Sequence, residues 1–165
     1  SESLTNLFVA IGLKEALDGY EALNSNLMPA LIDYPDDLTA SVDKVYEELI
    51  ELKRICDKNE ITLVLTVVPY RQSVVEKAFR HSIAYIDYGS EDFDLNKPYT
   101  MLSEFANTND IHIVQPVEAF RGSDESGENL YLRRDMHFSP AGHRIFANEI
   151  SAYLLKNSLL PGPGA

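Results

Sequence analysis

The sequence predicts an α/β domain in which a small parallel sheet is flanked by helices. Three observations carry that prediction. The run Ile61-Thr62-Leu63-Val64-Leu65-Thr66-Val67-Val68, closed by Pro69, is dominated by Val, Ile, Leu and Thr without strict alternation. Such a composition suits a strand covered on both faces, as in parallel sheets. A second apolar run, Ile111-His112-Ile113-Val114, also stops shortly before a proline, Pro116. Each run follows a segment of helical periodicity, so two helix–strand units argue for parallel crossovers. With two or three strands the sheet is thin for a doubly wound domain, and the chain reads as part of one.

The elements follow in order. Leu7, Phe8, Ile11, Leu13, Ala16 and Leu17 predict a first helix ending near Asp18-Gly19, followed by a looser segment through Pro29. Pro35-Asp36-Asp37 opens the clearest helix, with Thr39 or Ser41 as cap and Asp43 in the dipole-favoured first turn. Val42, Val45, Tyr46, Leu49, Leu52 and Cys56 recur at three- and four-residue steps and make its apolar face. Asn59 is read as its left-handed cap. After the first strand, residues 74–80 predict a short helix, residues 89–98 an acidic loop, and residues 99–107 a helix with Leu102, Phe105 and Ala106 inward. Residues 121–129 read as a polar loop. Ser139, a good N-cap, and Pro140, a good first helical residue, start a last helix running to about Lys156. Its inward face uses Ile145, Phe146, Ile150, Tyr153 and Leu154. The domain is expected to span residues 1–158, with 159–165 a flexible tail.

Composition narrows the function. The 165 residues suffice for one domain with its own core. Against 14 basic residues stand 26 acidic ones, a net charge of −12 that repels phosphate backbones and argues against nucleic-acid binding. No apolar run approaches the roughly 20 residues of a membrane span. Cys56 is the only cysteine, so no disulfide forms within the chain. The chain begins Ser-Glu-Ser without a Met, as expected of an excised or processed piece. The compartment therefore stays open: a cell-envelope or secreted parent is as compatible as any other.

The chemistry concentrates in Asp135-Met136-His137-Phe138-Ser139-Pro140-Ala141-Gly142-His143. An Asp–His pair held at the mouth of a helix supplies a base and the group that orients it. This ending resembles the last signature block of the SGNH, or GDSL-type, esterase and acyltransferase superfamily. There Asp and His shortly precede a helix that starts near a Ser/Thr/Asn-x-x-Gly-His stretch, and Asp135, His137, Ser139, Gly142 and His143 stand at those places. The strands at 61–69 and 111–116 are similar to later strands of that fold, and Ser3-Leu4-Thr5-Asn6-Leu7 to a helix that follows its middle blocks. The resemblance implies the C-terminal portion of a three-layer, flavodoxin-like SGNH domain. It implies ester hydrolysis or acyl transfer through a Ser-His-Asp triad, with His137 as general base and Asp135 as its orienter. The substrate implied is an acylated small molecule, carbohydrate or lipid, and no cofactor is called for.

Two departures qualify the resemblance. One residue, Met136, separates Asp from His where many members have two, as in the polysaccharide O-acetyltransferase-like branch, and the position three before His137 is Arg134. Neither a Gly-Asp-Ser block nor a Gly-x-Asn-Asp block is present. The nucleophile and oxyanion-hole donors are therefore expected in an N-terminal half of the domain outside this sequence. The chain alone is expected to be inactive, and its unmet sheet edges to be covered by that half or by self-association. Ser73 lies beyond the first strand but lacks a Gly-rich elbow and reads as a loop serine. His143 reads as structural and His112 as a satisfied or exposed strand histidine. Two alternatives stand beside the enzyme: a non-catalytic interaction module that keeps the fold remnant, and a metal site built from Asp135, His137 and His143.

Overall fold

The computed structural model describes residues 27–84, 86, 88–132 and 136–160. The predicted first helix lies outside them, as do Asp135 and Arg134. Among the described residues the chain is α/β: six α-helices and a two-stranded parallel sheet. The elements are α1 (Asp36–Lys58), β1 (Val64–Thr66), α2 (Arg71–Val74), α3 (Glu76–Ile83), α4 (Lys97–Thr108), β2 (His112–Val114), α5 (Val117–Glu125) and α6 (Pro140–Lys156). Short 3-10 turns at Met28–Ala30 and Ser90–Asp92 precede α1 and α4.

β1 and β2 run parallel, with Val64 opposite His112, Leu65 opposite Ile113 and Thr66 opposite Val114. The two apolar runs thus pair as their composition predicts, but over three residues each. Full burial of the first run does not follow. Val64 and Leu65 are half-buried, Ile61 is 57% exposed and Val68 52%. α4 and α6 pack on β2, and no further strand pairs with the outer edge of β1 among the described residues.

α1 presents the predicted face with one exception. Leu38 and Cys56 are buried, Val42, Val45, Tyr46 and Leu49 half-buried, and Leu52 is exposed. The Tyr46 ring stacks on Phe105 of α4 with centroids 4.4 Å apart, which ties the two helices together. Thr39 and Ser41 lie within the helix and donate back to the carbonyls of Pro35 and Asp37, so neither is its cap.

The helix ends share one design. Among the described residues Glu60, Asp110, Gly127 and Ser158 have positive φ, and each sits just past a helix. In each case the following N–H closes on a carbonyl five residues back: Ile61 on Cys56, Ile111 on Ala106, Glu128 on Ser123 and Leu159 on Leu154. This is the Schellman arrangement, usually built on glycine. Three of the four use another residue, preceded by an asparagine whose side chain donates to a helical carbonyl (Asn59 to Ile55, Asn109 to Phe105, Asn157 to Tyr153). Asn59 is therefore the C-cap, and the left-handed position belongs to Glu60. Leu159, where the tail was expected to begin, is still bonded to α6.

Two apolar clusters organise the chain. One joins Leu27, Met28, Ala30, Leu31 and Leu38 to Phe79 and Phe93, with Leu31 and Phe93 bridged antiparallel. Phe93 belongs to the stretch expected to be an acidic loop. The other surrounds Phe120, which has no exposed surface, with Leu130, Tyr131, Phe138, Ile145 and Phe146. Val117 and Phe120, three apart, bury one side of a segment that is otherwise polar. They make α5, which takes residues 121–125 of the expected loop and leaves 126–129 outside the helix. Between the clusters, Arg121 of α5 donates to the Ser73 carbonyl and to the side chains of Asn96 and Glu118.

Phe120→Ala should cost about 3–5 kcal/mol of unfolding free energy, whereas Leu155→Ala at an exposed site should stay within about 0.5 kcal/mol; urea titration compares them. Burial pushes the Tyr34 hydroxyl up to about 12 and moves those of Tyr70, Tyr99 and Tyr131 in the same direction. An unfolded tyrosine ionises near about 10, so the folded chain holds these protons more tightly. Their contribution is complete below about pH 10 and is lost as pH rises through the folded values. Alkaline unfolding with a coincident rise in tyrosinate absorbance is the expected outcome.

Candidate active site

The segment carrying His137 is a clasp. Tyr131 and Phe138 form an antiparallel bridge, flanked by Ser139 N–H to Leu130 O at 2.9 Å and Leu132 N–H to His137 O at 2.8 Å. His137 is thus held through its own carbonyl on the returning arm.

Ser139 fastens the base of the clasp to α6. Its hydroxyl donates to Asn129 O at 2.6 Å and accepts the N–H of Gly142 at 3.2 Å. The predicted N-cap is therefore present, with Pro140 at the first helical position. Gly142 is buried, and a Cβ there would collide with the Leu130 carbonyl and press on the Phe138 side chain. The glycine is required by the close approach of helix and clasp.

The clasp lies against the chain leaving β1 at its C-terminal end. The Tyr131 hydroxyl donates to Pro69 O at 2.9 Å, and Gln72 Nε2 meets Met136 Sδ at 3.7 Å. In open α/β sheets this end of the strands is the ligand side. His137 and Met136 are exposed there. Asp135 lies outside the described residues, so its distance from His137 is not part of the geometry.

The other candidates have defined places. Ser73 is buried; its hydroxyl donates to Tyr70 O at 2.8 Å and meets the Tyr99 hydroxyl at 2.6 Å. Those bonds link α2 to α4, and Ser73 lies within α2 rather than in the expected loop, because its hydroxyl and backbone N–H both bond back to Tyr70 O. His143 is exposed on α6 with its ring edge-on to Phe138 at 5.6 Å. His112 meets the Tyr153 hydroxyl at 3.1 Å and is a satisfied strand histidine. Among the described residues no three His, Cys, Asp or Glu side chains converge on a metal position. No helix among them is long and apolar enough to cross a membrane.

Tyr70, Arg71 and Gln72 follow β1 directly, at the edge where the sequence leads one to look for a ligand in an open α/β sheet; Asp124 is the polar group near it that sequence reasoning missed. Burial pushes the Asp124 carboxyl up, while the Arg71 guanidinium opposes that shift. Protein-family models, curated proteins and solved structures provide no match to this chain.

Alanine normally favours a helix over glycine by about 1 kcal/mol. Gly142→Ala should reverse that sign and cost about 1–3 kcal/mol through overpacking against Leu130. Denaturant unfolding measures it, and a more stable variant would contradict the close approach.

Proposed function

We propose that this chain is the C-terminal part of an SGNH/GDSL-like ester hydrolase or O-acyltransferase. In that reading His137 is the general base, Asp135 orients its imidazole, and the serine nucleophile comes from an N-terminal part of the same domain. The observation that carries the reading is the clasp. It anchors the backbone of His137 through Leu132 and Ser139 and lies on the chain leaving the C-terminal end of β1.

Chemically, the imidazole would take the proton of the serine hydroxyl as it attacks the ester carbonyl. It would return that proton to the departing alcohol, and Asp135 would stabilise the imidazolium between these steps. A backbone-anchored base needs little reorganisation to make both transfers. The hydrogen-bonded, buried Ser73 also supports seeking the nucleophile elsewhere.

The edge of β1 that no strand among the described residues pairs, and the exposed Ile61 and Val68, favour a second reading, an interaction module without chemistry. Turnover separates the two. In the intact parent protein, His137→Ala should lower hydrolysis of an activated acetyl ester by about three orders of magnitude or more. Rates like those of the wild type would sink the catalytic assignment. The isolated chain should show no turnover.

A further inference from the structure

Three consecutive residues at the C-terminal end of β1 each keep a buried polar atom without a hydrogen-bond partner among the described residues. They are the Tyr70 hydroxyl, Arg71 Nε and Gln72 Oε1. Nearly all buried polar groups in folded proteins are paired, so such a row calls for an explanation. Gln72 is the sharpest case, with 4% of its surface exposed. Its amide nitrogen makes a 3.3 Å contact with Ser82 Oγ and a 3.7 Å contact with Met136 Sδ, and a thioether is a weak acceptor. Interchanging the amide nitrogen and oxygen leaves one of them without a full partner all the same.

Met136 covers this amide from the clasp, immediately before His137. Met136 is 47% exposed, and its side chain turns about three bonds. Arg71 is half-buried, with Tyr131 and Asp124 within its electrostatic reach.

We propose that Arg71 and Gln72 form a subsite for a hydroxyl-rich, carbohydrate-like group, uncovered when Met136 moves off the Gln72 amide. The inference rests on the acid–base reading of His137 and names the alcohol side of the substrate. The unmet atoms decide the ligand class. Gln72 Oε1 needs a donor and Arg71 Nε–H an acceptor, and hydroxyl groups supply both. A carboxylate only accepts, and the net charge of −12 opposes both a carboxylate and a phosphate. An acyl chain does neither.

The test titrates this chain separately with cellobiose, inorganic phosphate and octanoate while the Gln72 side-chain amide signals are followed by NMR. Cellobiose alone should shift them, with an apparent affinity about tenfold weaker or more in Arg71→Met. Met136→Ala, which leaves Gln72 intact, should tighten binding several-fold. Signals unmoved by cellobiose in both the wild type and Met136→Ala, as an ordered water at the amide would give, overturn the subsite. So does an equal response to phosphate or octanoate. Cellobiose binding that persists while the intact parent lacks His137-dependent turnover overturns only the acid–base reading. His137-dependent turnover with unmoved Gln72 signals overturns only the subsite.

Discussion

The Ser139 hydroxyl is the interaction on which the rest of the candidate site depends. It donates to Asn129 at one side of the clasp and receives the Gly142 N–H from the first turn of α6. Those two bonds set the distance between helix and clasp, and Gly142 lets it be short. Phe138 is thereby directed into the cluster around Phe120, with ring centroids 4.8 Å apart. The neighbouring residue, His137, is left exposed. One buried hydroxyl thus connects helix capping, core packing and the presentation of the imidazole.

The thinness of the sheet explains much of the burial pattern. A parallel strand is buried on both faces when neighbours and crossover helices cover it. Among the described residues β1 has one partner, and residues of its apolar run are exposed while the deepest positions fall in loops and helices. Pro69 and Pro116, both fully buried, stand just beyond the two strands and end the pairing. The polar row Tyr70-Arg71-Gln72 begins directly after the first of them.

The most legible parts of the sequence were those governed by local rules. α1 follows from its three- and four-residue stripe, both strands from apolar runs stopped by prolines, and the start of α6 from Ser139-Pro140. α5 was hidden because only Val117 and Phe120 mark its buried side, and Arg-Gly-Ser-Asp-Glu has turn chemistry. Leu52 was misassigned because periodicity gives a face but not the neighbour that must cover it. In the site, the cap and the helix mouth could be read. The Tyr131–Phe138 bridge and the approach of Gly142 to Leu130 could not, since each depends on where a distant segment comes to rest. The Gln72–Met136 contact joins residues 64 apart, far beyond any spacing rule.

The helix endings have a consequence for the direction of the chain. α1 and α4 stop in the same way, with an asparagine, a left-handed residue and an isoleucine bonded back to the last turn. Each then releases its chain into a strand through an equivalent turn. The common orientation of β1 and β2 is thus prepared within six residues at each helix end, before the strands meet. On this view the parallel pair is less a property of the sheet than an inheritance from two punctuation marks written in the helices that precede it.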